Sequence, residues 1–536
     1  MLSKKEQSKL RNRLFRHLDG IVMAPIGNAL LGKGVTEHIL SNEKVTLKEL
    51  SKEFGANDGY LNVALRALCS QGWLTQEVDN SKDIITFSKN DLTKFAFSHF
   101  HLYQDIAELM TLSGNYSNRK FQEKPFLKLE SIFKKYQNHY DIEFSSNEKE
   151  RQVQEQILKH IEGIIVGPTL VILGMSGMFH KYFMQTRFKA EEFHKNPELF
   201  GRLLNILTDL NWFDKINGAY EFTKEGLFFA KRASAYGVTV SYIPMLRKMN
   251  DLLFGNPLIL KNDQGTDEKH VDREMNVWGS GGAHAAYFRV VDEILISIFN
   301  KPIEEQPKGF LDMGCGNGAF LAHIFSVIEN QTLRGKMLDE HPLIIIGVDY
   351  NKAALNVSRK NLIQADIWAK IIWGDIGDPD LLAKDLKEKY NIQLEDLLNV
   401  RTFLDHNRIW EAPKNIDKIR ESSSTGAYAS NGNKLNNNLV SESLKQHFSK
   451  WKPYIKKYGL LLIELHTVKP ELIAASIGKT AATAYDVTHG LSDQYILEVE
   501  EFMEVLHDIG LTSEKETFQK FPNSELATVS VNLFKE

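Results

Sequence analysis

The stretch Phe310-Leu-Asp-Met-Gly-Cys-Gly-Asn-Gly318 joins a short apolar strand to a turn that contains three glycines. Glycine adopts positive φ angles at little cost and has no Cβ, so a ligand can approach the backbone of such a turn closely. Residues 319–329, directly after the turn, have the apolar spacing of a helix. A strand, a glycine-rich turn and a helix in this order indicate an α/β domain that binds a nucleotide-like cofactor.

Strands and helices alternate from this turn to the end of the chain. The pattern predicts strands at residues 342–349, 371–375, 396–400 and 459–465, helices at 353–361 and 498–510, and closing strands at 514–520 and 527–534. Such alternation is typical of a doubly wound α/β sheet. The closing strands resemble the end of class I S-adenosylmethionine (SAM)-dependent methyltransferases, where one strand is reversed. We therefore expect a Rossmann-like seven-stranded methyltransferase sheet within residues 261–536.

Three acids stand at the ends of the first three predicted strands, where α/β proteins bind their ligands. Asp312 can hold the ammonium group of SAM, Asp349 can accept hydrogen bonds from both ribose hydroxyls, and Asp375 can meet the adenine amine. The spacing Gly-x-Gly-x-Gly differs from the Gly-x-Gly-x-x-Gly of dinucleotide-binding proteins. The residues predicted to bind SAM are Asp312, Gly314, Gly316, Gly318, Asp349 and Asp375.

The first half of the chain contains an internal duplication. Residues 17–25, His-Leu-Asp-Gly-Ile-Val-Met-Ala-Pro, match residues 160–168, His-Ile-Glu-Gly-Ile-Ile-Val-Gly-Pro, almost position for position. In each copy, helices precede a pair of short strands, which is the pattern of a winged helix. We therefore predict one helical, winged-helix-like repeat at residues 1–150 and a second at residues 151–260, which would act as a lid over the methyltransferase domain.

The composition narrows the range of partners and compartments. The formal net charge is −4, and the recognition-like helix of the first repeat contains a single arginine, Arg66, so nucleic acid is not an expected partner. The N-terminal residues lack an apolar signal core, and no segment reaches the roughly 18–20 apolar residues of a membrane helix, so no membrane is expected either. The two cysteines are far apart in sequence, which favours a reducing cytoplasm.

Four stretches of the second half carry a narrower resemblance. They are residues 277–288 (Val-Trp-Gly-Ser-Gly-Gly-Ala-His-Ala-Ala-Tyr-Phe), 399–408 (Asn-Val-Arg-Thr-Phe-Leu-Asp-His-Asn-Arg), 464–466 (Glu-Leu-His) and 485–495 (Tyr-Asp-Val-Thr-His-Gly-Leu-Ser-Asp-Gln-Tyr). They resemble the metal-dependent C-methyltransferase domains in loading modules of modular polyketide synthases of the apratoxin type. In that family an iron or manganese ion lies beside SAM, and a malonyl group on an acyl carrier protein is methylated at its α-carbon. The resemblance implies SAM-dependent C-methylation of an acyl group here, on a carrier protein or on a small-molecule acyl substrate.

The histidines in these stretches are the candidates for metal ligation and proton transfer. The resemblance implies that His489 and Gln494, in the loop predicted before the closing helix, bind the iron or manganese ion. Imidazole nitrogen and amide oxygen suit such ions better than they suit thiolate-loving metals. His406 and His466 follow the fourth and fifth strands, and each is a candidate catalytic base, a further ligand or a structural residue.

Three functions remain open at this point. The first is metal-assisted C-methylation of a malonyl-type thioester, in which the metal would stabilise the enolate and a histidine would take the α-proton. The second is metal-free O- or N-methylation of a diffusible small molecule, for which one histidine base such as His466 is enough. The third is a SAM-responsive regulator that binds DNA through its winged repeats, which the scarcity of basic residues argues against.

Overall fold

The computed structural model describes residues 2–112, 114–261, 268–281 and 285–536 of the chain. Within it the chain forms two compact units. The first comprises Met1–His284, Ala429–Lys434 and Lys469–Ser492, and the second comprises Ala285–Tyr428, Leu435–Val468 and Asp493–Glu536. Two segments of the second half therefore fold with the helical first half. The predicted domain boundaries at residues 150 and 260 stay predictions. Residues 262–267, next to the second boundary, lie outside the described residues, and so do residues 282–284 of the 277–288 stretch.

The second unit is built on a seven-stranded sheet, whose strands we number β1 to β7 in chain order. They are Gly309–Met313 (β1), Ile344–Asp349 (β2), Lys370–Trp373 (β3), Leu397–Thr402 (β4), Leu460–Leu465 (β5), Thr512–Phe521 (β6) and Val529–Lys535 (β7). Their spatial order is β6-β7-β5-β4-β1-β2-β3. Strand β7 runs antiparallel to both of its neighbours, whereas the pairs from β5 to β3 are parallel. This order, with one reversed strand, confirms the predicted class I methyltransferase fold.

Helices connect these strands and enclose a shared apolar core. They are Ala285–Phe299, Ala319–Gln331, Lys352–Gln364, Pro379–Tyr390, Asn437–Ile455 and Val499–His507, with 3₁₀ turns at Ile303–Glu305, Arg334–Met337, Leu394–Asp396, Asp405–Asn407 and Ile416–Lys418. Every residue of β1 and β5 is buried, which explains why these strands are continuous apolar runs and not alternating ones. The acids that interrupt the two runs, Asp312 and Glu464, are therefore buried as well.

The first unit is mostly helical and carries the two wings that the duplication predicts. Its helices are Lys4–Lys33, Val35–Ser41, Leu47–Phe54, Asp58–Ser70, Thr93–Ser98, Gln104–Leu112, Glu123–Gln137, Glu148–Met175, Lys181–Gln185, Ala190–Phe193, Pro197–Asp209, Lys224–Ala230, Ser234–Ser241, Ile243–Leu246, Met249–Phe254, Arg273–Gly281, Pro470–Ala474 and Ala482–Gly490, with 3₁₀ turns at Phe100–Tyr103 and His139–Asp141. Its strands are Lys44–Thr46, Thr75–Asp79 and Ile84–Ser88 in the first wing, Phe213–Ile216 and Ala219–Phe222 in the second, and the hairpin Ala429–Ser430 with Asn433–Lys434.

The duplicated sequence forms the central helix pair of the first unit. The two helices are Lys4–Lys33 and Glu148–Met175. They cross where Gly20 lies against the backbone of His160 and Gly163 lies against the backbone of His17. A Cβ on Gly20 would come within 2.2 Å of the His160 Cα, so only glycine permits this approach. Each copy thus contacts the same position of the other copy, as in an isologous interface between two chains.

The buried histidines at this crossing show the same reciprocal arrangement, since each has a tyrosine partner from the other repeat. The Tyr236 hydroxyl lies 2.8 Å from His17 Nδ1, and the Tyr103 hydroxyl lies 2.7 Å from His160 Nδ1. Burial lowers the pKa of His17 to about 4 and that of His160 to about 3, so both rings are neutral at physiological pH. Each repeat therefore supplies a tyrosine whose hydroxyl pairs with Nδ1 of the buried histidine of the other repeat.

The sequence analysis expected no segment long and apolar enough to form a membrane helix, and one helix of this pair differs from that expectation. Glu148–Met175 is, by length and composition alone, apolar enough to cross a membrane. In the structure, 78% of its most apolar window is buried inside the protein, where it packs against Lys4–Lys33. Burial in the core of the first unit therefore accounts for its apolar sequence.

The glycine contact at the helix crossing predicts a large effect for a small substitution. We expect Gly20→Ala to lower the free energy of unfolding by about 1–3 kcal/mol, because the added methyl group overlaps the His160 backbone. The matched control is Gly32→Ala in the same helix, where a Cβ meets nothing within 4 Å. That variant should be neutral or stabilising by up to about 1 kcal/mol. Urea denaturation measures both, and equal effects in the two variants would contradict the crossing.

Candidate functional site

The glycine turn after β1 has the conformation for which its glycines were predicted. Gly314, Gly316 and Gly318 have φ angles of 82°, 55° and 79°, in the left-handed region that other residues disfavour. The N–H groups of Gly314 and Cys315 donate to the Val348 carbonyl oxygen on β2 at 2.8 and 3.0 Å, which fastens the turn to the next strand. A Cβ on Gly316 would meet no atom within 4 Å, so this part of the backbone faces open space.

Asp349, the last residue of β2, is held beside this turn. Its Oδ2 accepts a hydrogen bond from the Gly316 N–H at 2.9 Å, and its Oδ1 accepts one from the Asn351 N–H at 2.8 Å. A carboxylate offers about four acceptor positions, so positions remain for the two hydroxyls of a ribose. Gly318 is the N-cap of the helix Ala319–Gln331, whose positive end suits a cofactor carboxylate.

Asp312 is buried at the carboxyl end of β1. Burial raises the pKa of its carboxyl group well above the usual range, and the negative charge of Asp349 raises it further. In the described part of the chain, no cation forms an ion pair with this carboxyl group. A bound cation would lower the pKa again, because a nearby positive charge favours the ionised form. The ammonium group of SAM is such a cation, so the acid fits a positively charged amino-acid cofactor.

An aromatic pair beside these acids escaped the sequence analysis. Tyr350 directly follows Asp349, and Trp373 ends β3; their ring centroids are 5.6 Å apart. The Trp373 indole N–H donates to the Tyr350 carbonyl oxygen at 3.0 Å, and both side chains are exposed. Asp375 follows two residues later, and its Oδ1 accepts the Gly377 N–H at 2.8 Å. Exposed flat rings next to hydrogen-bonding acids suit an adenine base, and their position at strand ends was the available signal.

The carboxyl ends of β4 and β5 bring His406 and Glu464 together. His406 Nδ1 lies 2.5 Å from Oε1 of Glu464, and both side chains are buried. Because a carboxylate only accepts, Nδ1 is assigned the hydrogen and Nε2 the lone pair. A histidine oriented by an acid in this way is the usual arrangement of a general base. The sequence analysis singled out His406 but not Glu464, whose signal was an acid inside the apolar run of β5.

This pair lies at the same edge of the sheet as the glycine turn. Strand β4 pairs in parallel with β1 on one side and with β5 on the other, so the ends of the three strands are neighbours. A Cβ on Gly314 would lie 3.0 Å from the side chain of Leu404, two residues before His406. The segment that follows β4 therefore packs directly on the glycine turn.

The second candidate base, His466, has a different environment. Its Nδ1 lies 3.1 Å from the Leu497 carbonyl oxygen, its Nε2 lies 2.8 Å from the Ser530 hydroxyl, and the side chain is fully buried. Burial lowers its pKa to about 3, so the ring is neutral at physiological pH. Since protein atoms occupy both ring nitrogens, this geometry favours the structural role among the three that the sequence left open.

The two predicted metal ligands belong to different units. His489 lies in the last turn of the helix Ala482–Gly490, in the first unit, and not in the loop that was predicted. Its Nδ1 lies 2.8 Å from the Tyr485 carbonyl oxygen, which leaves the lone pair on Nε2, as metal ligation requires. Gln494 is buried in the second unit. Among the described residues, no group of three His, Cys, Asp or Glu side chains could hold a metal ion, so ligation stays a prediction.

The arginine of the first winged helix is not on the surface. Arg66 is buried and forms an ion pair with Asp486 of the segment Lys469–Ser492. Gln71, just after the same helix, donates to the Thr483 hydroxyl at 3.1 Å. In a winged-helix regulator this helix would contact DNA. Here its one arginine instead forms an ion pair inside its own unit.

Three protein families match consecutive parts of the chain. Residues 10–76 match the family described as AprA N-terminal domain, residues 162–256 match AprA winged helix domain, and residues 268–532 match AprA MT2-like domain, a methyltransferase family. The three matches follow the order of the two repeats and the sheet described above. No curated protein matches the chain.

The solved structures to which this chain is similar are distant in sequence. The CurJ carbon methyltransferase is 14% identical, with 82% of this chain and 99% of that chain covered, at a TM-score of 0.34. An O-methyltransferase family 2 protein from Planctomyces limnophilus, in complex with apigenin, is 10% identical, with 98% and 95% covered, at 0.36. CalO1, a methyltransferase in calicheamicin biosynthesis with SAH bound, is 12% identical, with 73% and 99% covered, at 0.36. Similarity this low carries no argument about the substrate.

The geometry around Asp349 predicts how SAM affinity responds to mutation. We expect Asp349→Ala to weaken SAM binding about 100-fold, because charge-assisted hydrogen bonds to the ribose, worth about 1.5–3 kcal/mol each, are lost. Isothermal titration calorimetry measures the change. Asp339→Ala, which removes an exposed acid of the same unit, is the control and should leave the affinity unchanged. An unchanged affinity in Asp349→Ala would refute the assignment of the ribose site.

Proposed function

We propose that this SAM-dependent methyltransferase, whose residues 268–532 match the AprA MT2-like family, methylates the acidic α-carbon of a malonyl-type acyl thioester. The observation that carries this proposal is the pair formed by His406 and Glu464 at the cofactor edge of the sheet. A carbon acid needs a strong, well-oriented base at neutral pH, and the pair has the form of such a base. The acyl group would be carried by an acyl carrier protein or by a small molecule.

The proposed cofactor site combines the turn and the three strand ends. Gly314, Gly316 and Gly318 would receive the amino-acid part of SAM, and Asp312 would take its ammonium group. Asp349 would accept the ribose hydroxyls, and Asp375 would meet the adenine amine between the exposed rings of Tyr350 and Trp373. These roles are supported by the positive φ angles, the uncompensated acid and the exposed rings described above.

The proposed reaction assigns the proton to His406. Nε2 of His406 takes the α-proton, and the α-carbon of the resulting enolate attacks the methyl group of SAM. The bond between this methyl group and sulfur breaks, and its electron pair stays on the sulfur of S-adenosylhomocysteine. Glu464, hydrogen-bonded at Nδ1, stabilises the imidazolium while it exists. Because both side chains are buried, this stabilisation acts in a low dielectric and is stronger than in water.

A metal ion is a further part of this proposal. His489 would be a protein ligand, and an iron or manganese ion would supply Lewis-acid stabilisation of the enolate. The tautomer of His489 fits ligation through Nε2, because the Tyr485 carbonyl oxygen accepts from Nδ1.

Metal-free O- or N-methylation of a diffusible small molecule is the second candidate. The His406–Glu464 pair favours it as well, since an oriented base is sufficient to activate a hydroxyl or an amine. The two candidates differ in the acceptor atom and in the need for a metal ion, so the acceptor and the metal are tested separately.

The first test identifies the acceptor and the base together. Malonyl-loaded carrier protein is incubated with the enzyme, SAM and Fe(II) or Mn(II), and mass spectrometry should detect a methylated acyl group. His406→Gln should lower kcat by about 10²–10⁴-fold and leave SAM affinity unchanged, because only proton transfer is lost. His507→Gln, which changes an exposed histidine, is the control. Methylation of hydroxyl or amine acceptors, with none at the malonyl carbon, would move the enzyme to the second candidate.

The second test concerns the metal alone. Elemental analysis of the purified protein should find bound iron or manganese, and His489→Ala should lose that metal together with methyl transfer to malonyl-loaded carrier protein. SAM affinity should persist in this variant, because the glycine turn and Asp349 are untouched. Full activity of a metal-free preparation would reject the metal and leave the His406 base as the whole of the acid–base machinery.

A further inference from the structure

We infer that Asp405 is the positioning residue of this active site, which anchors its side chain on Arg401 and His447 and uses its main chain to hold Glu464 against His406. The inference rests on the proposed role of His406 as the base. It concerns a buried polar cluster at the carboxyl end of β4, which contains none of the residues proposed above to bind SAM.

The side chain of Asp405 is fixed from two directions. Its Oδ1 accepts hydrogen bonds from Arg401 Nη1 at 2.6 Å and from His447 Nε2 at 2.8 Å. Burial opposes ionisation of Asp405, but the Arg401 charge and the His447 hydrogen bond outweigh it, so the pKa lies below the usual range. The Arg401 guanidinium is itself held over the Trp451 ring, 4.0 Å from its centroid.

The main chain of Asp405 connects this anchored side chain to Glu464 and His406. Its N–H donates to Oε2 of Glu464 at 3.0 Å, while the other Glu464 oxygen meets His406. Its carbonyl oxygen accepts a hydrogen bond from Arg408 at 3.1 Å, and His406 is the next residue in the chain. A shift of Asp405 would therefore move one partner through the peptide bond and the other through a hydrogen bond.

The backbone at this point needs such an anchor. Phe403, directly after β4, has a φ angle of 53°, a left-handed conformation that is unfavourable for a bulky residue. Its N–H still donates to the Ile463 carbonyl oxygen at 2.8 Å, so this residue remains hydrogen-bonded to β5. The 3₁₀ turn Asp405–Asn407 that follows is the element that carries His406. Buried contacts must hold a strained turn in place, and the contacts of Asp405 do so here.

A purely structural role for Asp405 would predict lost stability and nothing more. Removing one member of a buried ion pair destabilises a fold wherever the pair lies. A matched control is therefore required, and the second unit provides one. Glu501 is equally buried and is paired with Arg420 at 2.6 Å, but it lies on the helix Val499–His507 and holds neither His406 nor Glu464.

The experiment reads out the catalytic pair directly and without a substrate. In full-length protein labelled with ¹⁵N-histidine, the His406 Nδ1–H bonded to Glu464 should give a downfield imidazole proton resonance, identified by its absence in His406→Gln. We expect Asp405→Asn to abolish or broaden this resonance and to lower kcat by about 10- to 100-fold, part of the roughly 10²–10⁴-fold that a general base contributes. SAM affinity should not change. Glu501→Gln should keep the resonance and kcat.

A second variant covers the case in which Asp405→Asn does not fold. His447→Leu keeps the Arg401–Asp405 pair and removes one anchor, and it should broaden the resonance and lower kcat by a smaller factor. Absence of the resonance in the wild type, or its persistence with unchanged kcat in both variants, would overturn the inference. If the wild type has the resonance, the variants lose it, and the enzyme methylates no acyl carbon, then the proposed substrate is wrong and the positioning role stands.

Discussion

The parallel pairing of β1, β2, β4 and β5 is the constraint on which the rest of the site depends. Parallel strands end at the same edge of a sheet, so residues far apart in sequence become neighbours there. Asp312 and Asp349 lie at the carboxyl ends of β1 and β2, His406 follows β4, and Glu464 lies near the end of β5. The contact of Leu404 with Gly314 then joins the glycine turn to the segment that carries His406. The proposed methyl-donor site and the proposed base therefore lie at one edge of the same sheet.

Burial of charge gives this edge its chemistry. Burial raises the pKa of Asp312, so its protonated form is favoured while no cation is bound. The charge of Arg401 lowers the pKa of Asp405 and keeps that carboxyl group ionised. The contrast comes from the neighbours, since both carboxyl groups are buried to a similar degree. One acid is therefore prepared for a cationic ligand, and the other is a permanent part of the framework. The same logic makes His466 a neutral, fully hydrogen-bonded core residue.

In the first unit, two copies of one helix pack against each other. Gly20 and Gly163 remove the side chains at the crossing, and His17 and His160 bring their backbones into the space. The contact is reciprocal because the two sequences are copies, so the chain contains internally an interface that homodimers build from two chains. The segment Lys469–Ser492 then adds to this helical unit through the buried Arg66–Asp486 ion pair.

The sequence by itself determined the sheet, the glycine turn and the duplication, because each depends on a local pattern: alternating strands and helices, glycines at positive φ, and a repeated string of residues. It also found both candidate bases, since His406 and His466 each follow a strand at the ligand-binding edge. Only the tertiary structure showed that their surroundings differ, because Glu464 and Ser530 reach the two rings from other strands. Likewise, no local signal assigns His489 to a helix of the first unit, since membership of a unit is set by packing between segments distant in the chain.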